Sequence, residues 1–382
     1  MVTSTRERLE ALLRERILVL DGAWGTMLQD AGLTAADYRG ERFLNHPYEV
    51  AGDPDLLNLT RPDVILDVHE RYLAAGADIT TTNTFTATSI GQADYGLEGV
   101  VRELNLEGAR LAREAVDACA QRIHAPRFVA GSIGPLNVTL SLSPKVDDPA
   151  FRPVSFDEVR ASYAEQILAL AEGGVDLLLV ETIFDTLNAK AAIAAAREVA
   201  PELPLWLSVT IVDLSGRTLS GQTVEAFWAS VEHAKPLLVG VNCSLGAKEM
   251  RPHVAELSQL ADTFTSCHPN AGLPNAFGGY DEQPHDTAAL LREFAEAGFV
   301  NVVGGCCGTA PEHIERIVAA VAGLPPRELE PNERSRRTRF SGLEPLELGP
   351  DTGFAMIGER TNLTGSARFR ALIEAGEYQG AV

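Results

Sequence analysis

Short runs of aliphatic and β-branched residues recur along the chain, each followed by a longer segment whose apolar positions repeat every three to four residues. The runs predict strands at 17–23 (ILVLDGA), 78–85 (DITTTNTF), 128–135 (FVAGSIGP), 176–183 (DLLLVETI), 205–211 (LWLSVTI), 238–244 (LVGVNCS), 263–270 (TFTSCHPN) and 300–307 (VNVVGGCC). The segments between them, such as PDVILDVHERYLAAG, SFDEVRASYAEQILALAEGG and TAALLREFAEAG, carry helical periodicity and end in glycine, as helix C-termini prefer.

Strands and helices alternating over about 300 residues predict a (β/α)8 TIM barrel, a fold that usually takes about 250. An open doubly wound sheet is the other arrangement with this alternation, but the chain has no G-x-G-x-x-G or Walker A turn after an early strand. Asp21, Asn83, Glu181, Asn242, Cys243, Asn270, Cys306 and Cys307 all fall at the C-terminal ends of the predicted strands. In a barrel those ends converge on one mouth, where active sites are built.

The barrel is assigned to residues 1–323, where the pattern breaks. Residues 324–352 are rich in Pro, Arg and Glu and read as a linker. Residues 353–382 then begin a fresh strand–turn–helix, the truncated first βα unit of a second barrel. A lone βα unit cannot bury a core of its own, so the chain is expected to stop short of a second domain.

A net charge of −21 argues against nucleic acid and anionic membrane as partners. No apolar run approaches the roughly 20 residues of a membrane span, and the charged start MVTSTRERLEALLRER lacks a signal peptide's apolar stretch. Five cysteines, an odd number with no framework spacing, complete the expectation of a cytoplasmic protein with reduced thiols.

Cys243 and the adjacent pair Cys306–Cys307 lie too far apart in sequence for a finger or knuckle, which needs short C-x₂₋₄-C loops. Three soft ligands on rigid strand ends leave a fourth position for an outside ligand, the pattern of a catalytic zinc site. The bland readings are a vicinal disulfide or packing for the pair, and small core residues for Cys119 and Cys267.

The motifs DGAWGT (21–26), DLLNLTRPD (55–63), TNTF (82–85), ETIFDT (181–186), VNCS (241–244), PNAGLPN (269–275) and GGCCGT (304–309) together resemble the homocysteine S-methyltransferase family, in order, from about residue 15 to 322. The tail MIGERTNLTGS resembles the opening of a folate (pterin) domain, an order similar to that of the cobalamin-dependent methionine synthases. The resemblance implies Zn²⁺ on Cys243, Cys306 and Cys307, homocysteine bound to it as thiolate, and methyl transfer giving methionine. A thiol with a pKa near ~8.5 is mostly protonated at neutral pH, and zinc removes that proton without redox chemistry. Three cysteine thiolates also keep the site electron-rich, which suits alkyl transfer to sulfur better than water activation.

Glu181 resembles the family's ammonium-binding glutamate. Asp21 either assists it or forms the turn, and the backbone N–H groups of Gly22 and Ala23 offer a place for the substrate carboxylate. Thr82 and Asn83 are expected to order the mouth beside the substrate. Asn270 either fills zinc's fourth position until substrate displaces it or holds the following turn. His268 is read as structural, and Trp24 departs from the smaller residue common in the family. Glu359, Arg360, Thr361 and Asn362 resemble the folate domain's entry motif. Methylcobalamin and 5-methyltetrahydrofolate would reach the site through folate and cobalamin domains outside this chain, whose nearest D-x-H-x-x-G match, Asp67-Val68-His69, has Tyr72 in place of the glycine. The alternatives are a stand-alone methyltransferase with S-methylmethionine or a betaine-type donor, a non-catalytic zinc or thiol protein, and a pterin-binding protein.

Overall fold

A computed structural model describes residues 5–329, 337–356, 358 and 362–381. Its strands are β1 (Leu18–Val19), β2 (Ile79–Thr81), β3 (Phe128–Ile133), β4 (Leu177–Ile183), β5 (Leu205–Val209), β6 (Leu238–Gly246), β7 (Phe264–Asn270) and β8 (Val302–Val303), each inside a run read from the sequence or overlapping it closely. All pair in parallel in the order β1-β8-β7-β6-β5-β4-β3-β2. The ring closes between β1 and β2 through the bridge Leu20↔Ile79 and the bond from Asp78 N–H to the Val19 carbonyl (2.7 Å). The fold is a TIM-type α/β barrel.

The strands read as continuous apolar runs because helices cover their outer faces while their inner faces fill the barrel. The barrel floor is apolar, packing Leu18, Ile79, Phe128, Leu177, Trp206 and Phe264 with Leu9 and Leu13 of the N-terminal helix Thr5–Glu15. Both leucines are fully buried, which stabilises by about 2 kcal/mol each and makes this charged helix the plug of the floor. Three floor residues repeat one device. Asp78, Asp176 and Asn301, each just before its strand, accept the N–H of Val19, Val129 and Thr265 on the neighbouring strand at 3.0, 2.8 and 3.0 Å. Towards the mouth the interior turns polar, with Trp206 Nε1 donating to Ser266 (2.8 Å) and Ser208 to Asn242 (2.6 Å).

The chain divides into two compact units, Met1–Asn332 with Phe340–Pro345, and Glu333–Arg339 with Leu346–Val382. The stretch 324–352, read as a linker without structure, differs from that reading. It contains β9 (Thr338–Ser341) and β10 (Pro345–Leu348), which form a sheet of their own. Ser341 Oγ donates to the Ala226 carbonyl (2.7 Å), and Thr223 N–H donates to the Leu343 carbonyl (3.0 Å), so residues 340–345 are built into the barrel unit. In the second unit the predicted helix is present as Ala367–Glu374, capped by Ser366, which accepts from Phe369 N–H at 3.2 Å. The strand expected before it falls partly on residues 357 and 359–361, outside the described ones, and no described residue of 353–366 is in a strand. Among the described residues no helix is long and apolar enough to cross a membrane.

Candidate active site

Cys243 sits where β6 leaves the regular ladder. The β6–β7 register shifts between Asn242 and Gly246, and within this bulge Cys243 and Ser244 adopt left-handed backbone with φ of 62° and 65°. Left-handed backbone costs a non-glycine residue about 1–2 kcal/mol, so the surroundings must hold the bulge in place. Cys306 and Cys307 follow β8. Cys306 N–H donates to the Pro269 carbonyl (2.8 Å), Ala271 N–H to the Cys307 carbonyl (2.9 Å), and Thr309 Oγ1 to the Cys306 carbonyl (2.7 Å). Gly308 closes this turn at φ 81°, and a Cβ there would lie 2.4 Å from Tyr280 Cβ. The motif therefore needs a glycine for both backbone conformation and space.

These turns bring the three sulfurs within 4.8 Å of one another, the one such cluster of potential metal ligands among the described residues. Cys243 Sγ and Cys307 Sγ are 3.8 Å apart. Ligands at ~2.3 Å around a tetrahedral zinc lie about 3.8 Å apart, the spacing of the Cys243–Cys307 pair. The Cys307 thiol is pushed down to about 3, because Cys243 and Cys306 donate to it and the Tyr280 hydroxyl adds a further bond. The Cys306 thiol is pushed well up by its bonds to Cys243 and Cys307 and by burial. Within the trio, hydrogen bonding favours the charged form at Cys307 over Cys306. Asn270, at the end of β7, is buried with Oδ1 lacking any hydrogen-bond donor, while its Nδ2 reaches Tyr280 Oη at 3.5 Å. An unsatisfied buried amide oxygen is costly unless something else binds it.

Two carboxylates complete the mouth. Asp21 accepts from Thr80 Oγ1 (2.9 Å), Thr81 N–H (2.7 Å) and Thr81 Oγ1 (3.1 Å). Trp24 Nε1 donates to Thr81 Oγ1 at 2.9 Å, so Trp24 braces the same network from the mouth. Full burial nevertheless raises Asp21 to about 7 against these bonds. Glu181 accepts from Ser132 Oγ at 2.6 Å. Burial raises it to about 7 as well, with the charges of Asp21 and Cys307 adding to the effect. These groups face the same space and resist simultaneous ionisation.

The other residues singled out from the sequence are placed as follows. Ala23 N–H already donates to Thr309 Oγ1 (3.2 Å), so it is not a free carboxylate donor. Gly22 is held against Tyr72 and Thr309, where a Cβ would lie 2.8 Å from Tyr72 Cε1. Asn83 spends its Nδ2 on the Pro54 carbonyl (2.7 Å) and Asn58 Oδ1 (3.2 Å), bracing loops behind the mouth. Thr82 Oγ1 accepts from Ser132 N–H at 2.9 Å. His268 is buried edge-on against Trp206 (5.2 Å between centroids) and is not one of the clustered ligands. Cys119 and Cys267 are buried in the core. His69 lies fully buried in the helix Pro62–Ala74 with Nδ1 on Thr80 Oγ1 (2.9 Å). Asn362 accepts from Thr364 N–H (2.8 Å) within its own turn, while Glu359, Arg360 and Thr361 lie outside the described residues. Tyr280, Thr182 and the side chain of Asn242 were not read as site residues. Only their nearness in sequence to Glu181, Cys243 and Asn270 could have pointed to them.

Three clustered thiols that could hold a metal ion lie with two carboxylates at the C-terminal face of a parallel barrel, where barrel enzymes build their sites. The chain belongs to the homocysteine S-methyltransferase family, whose model matches residues 18–321. Methyl transfer to homocysteine is therefore the activity class of the barrel. Among solved structures, the metallated form of the homocysteine methyltransferase MmuM from Escherichia coli aligns with a TM-score of 0.65 at 26% identity, over 81% of this chain and 99% of that one. The oxidised form of MmuM gives 0.65 at 25% identity, over 81% and 98%. The apo form, at 22% identity and 0.59, is a likeness of fold.

Proposed function

We propose that this barrel holds Zn²⁺ on Cys243, Cys306 and Cys307 and binds homocysteine for methyl transfer from methylcobalamin, forming methionine. The observation that carries the proposal is a three-thiol cluster whose Cys307 charge reaches Glu181, with the buried Asp21 beside it and no ion pair to either carboxylate among the described residues. When bound, zinc lowers the proton affinity of a fourth thiol and holds it as thiolate at neutral pH. Glu181 and Asp21 bind the substrate ammonium and so orient the thiol towards the sulfur cluster. Ser132, Thr80, Thr81 and Trp24 hold those carboxylates in place, and the buried, donor-free Oδ1 of Asn270 could serve as a further ligand to the metal.

Zinc X-ray absorption on the purified protein tests this reading. Adding homocysteine is expected to change three sulfurs plus one light atom into four sulfurs. A spectrum unchanged by homocysteine, or a protein that takes up no zinc, overturns it.

The choice of methylcobalamin rests on the tail MIGERTNLTGS and the second unit that follows the barrel, which support folate and cobalamin domains as partners. The likeness to MmuM, covered over 99% of its length by this chain, favours a second reading in which the barrel acts alone with a small sulfonium donor such as S-methylmethionine. Methionine formation from homocysteine with methylcobalamin or with S-methylmethionine, measured side by side, decides between them.

A further inference from the structure

The sulfur cluster and the carboxylates are carried by different strands, so a substrate held at both ends demands a fixed spacing between them. Both halves stand on irregular backbone. The β4–β5 register shifts between Val180 and Ile183, leaving Glu181 and Thr182 out of the ladder, with Thr182 at φ 56°. The β6–β7 register likewise shifts after Asn242, where Cys243 begins the second bulge. β4 and β6 are not ladder neighbours, because β5 lies between them.

One side chain spans the gap. Asn242 is fully buried, and its Oδ1 accepts from Thr182 N–H at 3.0 Å and from Ser208 Oγ of β5 at 2.6 Å. Its Nδ2 donates to Thr182 Oγ1 at 2.9 Å, and its own carbonyl accepts from Thr210 Oγ1. The amide thus satisfies the part-buried N–H that the β4 bulge turns away from the ladder. Thr182 directly follows Glu181, and Asn242 directly precedes Cys243. A shift of either bulge is therefore transmitted to the other through two bonds on one rigid amide.

We propose that Asn242 is a positioning residue that sets the distance between the thiol-binding and ammonium-binding halves of the site, a role that rests on the homocysteine reading above. Its side-chain hydrogen bonds go to Thr182 and Ser208, not to the clustered sulfurs or the carboxylate oxygens. Its loss therefore affects a ligand that spans both halves more than one that uses the sulfur end alone.

The test compares homocysteine with propanethiol, which has no amino-acid group, by calorimetry on zinc-loaded protein. Asn242→Ala is expected to weaken homocysteine by about ten- to thirtyfold, as misplacement of a bound substrate does, with propanethiol affinity and zinc content within about twofold of wild type. Ser208→Ala removes one of the amide's bonds without touching either bulge. It is expected to move the same ratio about threefold, which keeps the test open should Asn242→Ala fold poorly. Equal weakening of both thiols, or loss of zinc, would mean a merely structural role and overturn the assignment; so would unchanged homocysteine binding. A wild-type protein with no preference for homocysteine over propanethiol overturns the homocysteine reading, and this inference with it.

Discussion

Replacing Glu181 by glutamine removes a charge while keeping the side chain's shape and an oxygen for the Ser132 hydroxyl, so its consequences can be worked from the site. Burial, with smaller contributions from the charges of Asp21 and Cys307, raises this carboxyl from its ordinary 4.5 to about 7. At ~1.4 kcal/mol per tenfold, holding Glu181 ionised costs the folded protein about 3 kcal/mol. The sign follows from the raised value. The cost is absent below the unfolded value near 4.5, grows as pH rises, and is fully present above about 7. Glu181→Gln is therefore expected to match wild type in stability at pH 4.5 and to exceed it by up to about 3 kcal/mol at pH 8. Homocysteine binding moves the other way. Losing the anionic partner of a partly buried ammonium costs about 2–3 kcal/mol, or roughly 30- to 150-fold in affinity. The assays are urea denaturation of reduced, zinc-stripped protein at both pH values and calorimetric titration of the zinc-loaded protein. A variant less stable than wild type at pH 8, or one that binds homocysteine as tightly, refutes the reasoning. Loss of zinc in this variant would make Glu181 a structural residue.

Three further outcomes are expected. Cys306→Ala removes one of three metal ligands and should abolish both zinc retention and methyl transfer; retained activity with about one zinc per chain, measured by elemental analysis, would sink the ligand assignment. Homocysteine affinity should fall as pH drops through about 7, where Asp21 and Glu181 take up protons and stop pairing with an ammonium, and this loss should flatten in Glu181→Gln when followed by calorimetry. Arg327 is buried at the floor and donates to the carbonyls of Ser258, Ala261 and Thr263 at 2.6–2.9 Å. Arg327→Ala should cost about 3 kcal/mol of stability in a denaturant titration without altering the homocysteine affinity of the folded fraction.

The barrel was legible because strands buried on both faces carry apolar runs that helical segments do not match. The runs overshot the ladders at β1, β2 and β8, where only two or three residues pair before the chain bends into the mouth. The thiol cluster was legible from residue type, since three soft ligands at strand ends have few other uses. What lay beyond reach was connectivity between strands. Nothing in VNCS says that the asparagine side chain points at Thr182, 60 positions earlier, and nothing in DGAWGT says that Thr309 takes the Ala23 N–H. The strands Thr338–Ser341 and Pro345–Leu348 were hidden for another reason. Four-residue alternation is too short to stand out in a stretch dominated by Pro, Arg and Glu.

The electrostatics of the mouth bear on why such a site persists in the fold. Burial raises the proton affinity of Glu181 and the charges of Asp21 and Cys307 add to it, while the Tyr72 hydroxyl is pushed up by burial and by Asp21. Arrangements of this kind are unfavourable when left alone and are tolerated because the floor and the helix-covered strands supply the stability. On the proposed reading, the sulfurs take a soft metal and the carboxylates an ammonium. A ligand that carries both a thiol and an ammonium satisfies the carboxylates only if its sulfur reaches the metal. On that reading, the repulsion that raises Glu181 becomes selectivity for an amino-acid thiol over a simple one, and the spacing proposed for Asn242 sets how long that thiol must be.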